Sequence, residues 1–156
     1  METSKQDLNY ISNTLENYYY LKRLEKRINQ EILELDMKIE NERIAVKGMQ
    51  YECNGVCGSG CSVNAAKPQS VNYLISKQVE LSVRLNHIVK KYKLLDEIEQ
   101  INYRLKRLSP ESKIVINNYF VREMTLEDIS KTDKVSKQTV SNRLEKALTE
   151  MANCGK

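Results

Sequence analysis

With 156 residues the chain has room for one or two small domains, and 40% apolar content is enough for a core. It has no Trp, one Phe, two Pro and five Gly against 29% charged residues, a balance that suits long helices and argues against a sheet. The net charge of +4 is too mild to imply a polyanionic partner by itself. No apolar run approaches the length needed to span a membrane.

The opening METSKQDLNY is polar and lacks the apolar core of a signal peptide, so the expected location is cytoplasmic, with no membrane contact and with reduced cysteines. From about Gln6 to Lys47 neither Pro nor Gly occurs. Leu8, Ile11, Leu15, Tyr18, Leu21, Leu24, Ile28, Ile32, Leu35, Ile39 and Val46 recur mostly three or four apart, which predicts one long amphipathic helix. Its ~63 Å, at ~1.5 Å per residue, needs a partner helix. Tyr18, Tyr19 and Tyr20 sit where the spacing is interrupted, and three adjacent residues cannot all share one helix surface.

Gly48 is the expected end of that helix, and residues 48–70, with further Gly and Pro, read as a loop. Within it Cys53, Cys57 and Cys61 are spaced C-x3-C-x3-C. Thiolates suit zinc, but the C-x2-C pairing and a fourth nearby ligand are missing, so no metal and no cofactor is expected; the three cysteines remain low-ranked candidates. The helical pattern resumes from Val71 to Leu108, with Leu74, Leu81, Ile88 and Leu95 seven apart and the seam shifting to Ile98, Ile101, Leu105 and Leu108. Two rods of similar length joined by a loop predict an antiparallel, coiled-coil-like hairpin over 1–108. The narrow strip that such a pair buries predicts a homodimer or higher homo-oligomer.

Ser109-Pro110-Glu111 has the form of a helix start, a capping Ser followed by Pro at the first helical position. In the next stretch Ile114, Val115, Tyr119 and Phe120 are expected to pack on Leu126, Ile129, Val135, Val140 and Leu144, making a three-helix head over 109–156 that leans on the rods. Thr125, with Asp128 three residues on, is placed to cap one short helix and Ser136 to cap the next. In that last helix Val140, Leu144, Leu148 and Met151 share a face, and the other side carries Lys137, Gln138, Thr139, Ser141, Asn142 and Arg143. Such side chains hydrogen-bond phosphates and base edges, so the predicted partner is double-stranded DNA, read in the major groove by the helix starting near Ser136. Lys131 to Lys146 holds five basic and two acidic residues, and Arg84 to Arg107 seven against three, whereas Leu8 to Lys47 holds seven of each. Positive charge thus gathers beside the proposed reading helix.

The run LSPESKIVINNYF, then MTLEDIS, then VSKQTVSNRLEKAL resembles region four of sigma factors. The whole layout, with a helical N-terminal part, a Gly-containing loop, a second long helix and this head, resembles the ArpU/RinA-like late-gene transcriptional regulators of phages of Gram-positive bacteria. The resemblance implies a DNA-binding activator of phage or prophage late genes that contacts RNA polymerase, with residues 137–139 and 141–143 facing DNA. One departure stands out: the apolar-Gly pair usual before the Val is Asp133-Lys134. The fold class expected is therefore all-α, a long antiparallel hairpin plus a C-terminal helix-turn-helix head, and no enzyme, since no nucleophile stands beside a candidate base. The alternatives are a small terminase-like DNA-packaging subunit, or a helical scaffold that binds protein.

Overall fold

The computed structural model describes residues 4–52 and 71–154, and side chains for 4–45 and 71–154. Cys53, Cys57 and Cys61 lie outside the described residues. The fold is all-α: α1 (Lys5–Glu52), α2 (Val71–Glu99), α3 (Ile101–Arg107), α4 (Pro110–Ile116), a π-helical segment (Asn117–Val121), α5 (Leu126–Asp133) and α6 (Lys137–Asn153), with no strand among the described residues. Two features differ from expectation. Helix α1 runs past Gly48 to Glu52, since one Gly costs only ~1 kcal/mol in a helix interior. The second rod breaks at Gln100, which takes the left-handed conformation at φ 52° and ψ 39°.

Two compact units form, one from 24–88 and the other from 1–23 with 89–156. In the first, α1 and α2 pack as the antiparallel pair. Ile28, Leu35 and Ile39 are buried on one helix and Leu74, Leu81 and Ile88, seven apart, on the other. The Gln78 amide donates to Asp36 across this pair.

In the second unit the start of α1 runs antiparallel to the end of α2: the Tyr10 hydroxyl donates to Glu99, while Tyr18, two turns on, meets Tyr92 edge to face at 6.1 Å. Of the tyrosine triplet, Tyr18 is buried, Tyr19 half-buried and Tyr20 exposed. Burial pushes the Tyr19 hydroxyl pKa above its ordinary value, with Tyr18 adding to the effect. The Tyr18 hydroxyl donates to Asn102 at 3.3 Å, and Lys22 lies over the Tyr18 ring at 4.6 Å. Asp96 closes the break at Gln100 by accepting from the Asn102 backbone N–H at 2.7 Å and its side-chain amide at 2.6 Å. It therefore serves the first turn of α3, where an acid is favoured, and is more than a helix-surface charge.

The core of this unit joins Ile11, Leu15 and Tyr18 of α1 to Ile101, Leu108, Ile116, Phe120, Ala147, Leu148 and Met151. The small head does lean on a long helix, as its thin core requires. One expected core residue is replaced. Ile114 is 57% exposed, and Ile116 is buried in its place. Ile114 lies two residues from both Ser112 and Ile116, so it points to the opposite side of α4.

Candidate nucleic-acid interface

The helix-turn-helix is α5, the residues Lys134 to Ser136, and α6. Thr125 sits before α5 in extended conformation, and its hydroxyl oxygen accepts from the Asp128 N–H at 3.2 Å. Asp128 answers by accepting from the Thr125 backbone N–H at 3.2 Å and hydroxyl at 2.6 Å. This reciprocal box satisfies donors that the first turn leaves open. The Thr125 hydroxyl, then the Thr125 N–H, hold the Asp128 carboxyl below its ordinary pKa, with Lys131 contributing against a slight opposing effect of burial.

Helix α5 ends at Lys134, which is left-handed at φ 53° and ψ 40°. The N–H groups of Lys134 and Val135 both turn back to the Ser130 carbonyl, the latter at 3.1 Å, so the last turn closes as a Schellman-type cap. A residue with a Cβ is disfavoured there by ~1–2 kcal/mol. Lys134→Gly should therefore raise stability by about 1 kcal/mol and the thermal midpoint by about 2–8 °C, as read by calorimetry.

Ser136 caps α6: its hydroxyl oxygen accepts from the Thr139 N–H at 3.1 Å, and the two hydroxyls lie 2.8 Å apart. Val140, Ala147, Leu148 and Met151 are buried and Leu144 half-buried, so α6 is fixed on its apolar side. On the other side Lys137, Gln138 and Asn142 are exposed, and Thr139, Ser141 and Arg143 are half-buried. The Gln138 amide donates to the Asn142 side-chain oxygen at 2.9 Å, one turn along. Arg143 pairs with Asp133 at 3.7 Å, a partly exposed pair worth ~0–1 kcal/mol that a phosphate or base edge could replace at little cost.

Helix α4 is anchored to α6 through Ser109. Its backbone N–H and hydroxyl donate to Glu150 at 3.1 Å and 3.0 Å, while the same hydroxyl oxygen lies 3.4 Å from the Ser112 N–H that it caps. Desolvation pushes the Glu150 carboxyl upward, but the Ser109 N–H and the Ser112 and Ser109 hydroxyls outweigh it, and the net pKa lies below the ordinary value. The unfolded state then binds the proton more readily. This contribution to stability is present above the unfolded carboxyl pKa of ~4.3 and is lost as pH falls through the lower folded value. Glu150→Gln should flatten the acid limb of a stability-versus-pH curve; an unchanged limb would remove Glu150 from the account.

A feature that spacing did not signal is the tie from α1 to the approach to α5. Arg23 donates to the Phe120 carbonyl at 2.8 Å and pairs with Glu123 at 2.8 Å. Glu123 is left-handed at φ 55°, two residues past the end of the π-helical segment. Arg23 thereby satisfies a carbonyl at the disrupted helix end and holds the strained residue two positions before the Thr125 cap. These groups line an open cleft of about 730 Å³ with Tyr20, Met124 and Lys137. Arg23→Met keeps much of the stem but removes the fork, and should cost about 1 kcal/mol in urea unfolding.

Among the described residues no three His, Cys, Asp or Glu side chains group as metal ligands, and no helix is long and apolar enough to cross a membrane. Cys154 is a free, half-buried thiol.

Compared with known proteins, residues 104–153 match the family model for sigma-70, region 4. That span starts within α3 and takes in the whole of α4, α5 and α6. The head is thus a sigma region-four-like helix-turn-helix domain. No curated protein and no solved structure matches the chain.

Proposed function

We propose that this protein is a sequence-specific DNA-binding transcription regulator, an activator of phage or prophage late genes that works with RNA polymerase in the cytoplasm. The observation that carries the reading is the donor-rich face of α6: Gln138 and Asn142 stand exposed and one turn apart, behind a capped turn, within the segment that matches region four. Lys137, Gln138, Thr139, Ser141, Asn142 and Arg143 are the proposed DNA contacts. Ser136 and Thr125 fix the helix ends that present them. The hairpin over 1–108 supplies self-association and the head over 109–156 supplies DNA reading, in the manner of the ArpU/RinA-like regulators that the layout resembles. No catalytic step is assigned to the chain.

The test is selection of bound duplexes from a random pool, followed by footprinting. A defined motif next to a promoter is the expected result. Absence of any salt-sensitive binding to duplex DNA would overturn the proposal, since phosphate contacts make such binding fall steeply with salt.

A further inference from the structure

Helix α2 has a second face. Leu74, Leu81 and Ile88 occupy the buried seam, and on the other side of the helix Val79 and Val83 are 58% and 53% exposed. Around Val79, the residues three, four and seven positions away in each direction form one contact patch, as in any helix packed on another. On the N-terminal side they are Ser76, Ile75 and Asn72; on the C-terminal side they are Ser82, Val83 and Asn86. The row is a palindrome: Ser matches Ser, a β-branched aliphatic matches a β-branched aliphatic, and Asn matches Asn. None of the seven is charged, and the three charged residues between Val71 and Ile88, which are Lys77, Glu80 and Arg84, all fall outside the row. The comparable exposed row on α1, Leu33, Met37 and Ile44, has Glu40 within it.

We infer that this row of α2 is the pairing surface between two copies of the chain, with the two α2 helices antiparallel and a two-fold axis passing by Val79. A two-fold interface requires each residue i to meet j while j meets i. Antiparallel pairing about Val79 meets that requirement with chemically like partners at every level. Val79 meets its own copy, Ile75 meets Val83, Ser76 meets Ser82, and Asn72 meets Asn86. Two carboxamides facing each other satisfy one another's donors and acceptors and fix the register, as a buried Asn does in a coiled coil. A parallel pair would set Asn on Asn and Ile on Ile in a chain of any sequence, so it would leave the palindrome without a consequence. The inference rests on the self-association part of the proposed function and is independent of DNA binding.

The experiment uses the full chain with its four cysteines changed to Ser, measured by light scattering and by oxidative cross-linking. This chain should be at least dimeric. Val79→Glu, which places two carboxylates against each other on the axis, should weaken association by at least about tenfold with helicity unchanged, because the position is exposed. Val79→Lys should do the same, and an equal mixture of the two variants should re-associate. Val79→Cys should cross-link to itself. Asn86→Cys alone should not, since its own copy lies roughly 21 Å away along the helix, being displaced by seven residues on each side of the two-fold axis at ~1.5 Å per residue. The double variant Asn72→Cys with Asn86→Cys should cross-link. A monomeric starting chain would overturn both the self-association and this surface. A dimer that Val79→Glu leaves intact, or that cross-links through Asn86→Cys alone, would overturn the surface and leave self-association standing.

Discussion

Leu15→Ala should destabilise the helix-turn-helix head, although Leu15 lies far from it in sequence. Leu15 is fully buried in the cluster that contains Ile101, Phe120, Leu148 and Met151. Truncating a buried Leu removes its transfer free energy and leaves a cavity, together ~2–5 kcal/mol. A domain has only ~5–15 kcal/mol in total, so the variant should unfold well before the parent protein. The discriminating readout is local. Amide exchange of Ile129 and Val140, buried in the head, should accelerate in Leu15→Ala if α1 and the head unfold together. Unchanged protection there, with loss confined to α1, would show that the head stands alone and that the packing of α1 is dispensable to it. Leu33→Ala is the control: this residue is 57% exposed on the same helix and should change little.

Elements whose signal is periodic and local were legible in the sequence. Leu74, Leu81 and Ile88 recur every seven residues and all three are buried. The head was legible because its pattern is contiguous, and residues 104–153 match a known family on their own. Features set by backbone strain or by distant partners were less legible. The break at Gln100 has neither Gly nor Pro to announce it; only the seam shift after Leu95 hinted at it, and Asp96 closes it from four residues before. The buried place of Ile116 in preference to Ile114 follows from how α4 packs on α6, which single-residue spacing did not resolve. Arg23 meets Phe120 across 97 positions, and no short-range pattern encodes that contact. For the candidate interface, amphipathicity marks which side of α6 faces out. It does not reveal that Gln138 and Asn142 bond each other or that Arg143 pairs with Asp133.

Those internal ties sharpen what the recognition helix should do. Gln138→Ala and Asn142→Ala should each erode preference for the selected site while leaving most non-specific binding. Each amide can pair bidentately with adenine, a contact worth ~1–3 kcal/mol of discrimination. In the free protein the two amides share only one hydrogen bond of 2.9 Å, so a base edge offers each more partners than it loses. Losing either residue spares the other the cost of breaking that bond, so each single loss is cushioned and the double variant should cost more than the sum of the singles. Lys137 lies at the first position of α6 and is exposed, with its amine suited to phosphate. Lys137→Ala should weaken all duplexes alike and reduce the salt slope by about one unit. Asp133→Asn should release Arg143 and remove a negative charge near the phosphates, tightening binding to every duplex by a few-fold. The measurement is titration of the selected and a scrambled duplex at several salt concentrations. Equal losses on both duplexes for Gln138→Ala and Asn142→Ala would show that this face does not read bases. No effect from any of the four changes would mark it as a solvated surface and move DNA binding, or the partner altogether, elsewhere on the chain.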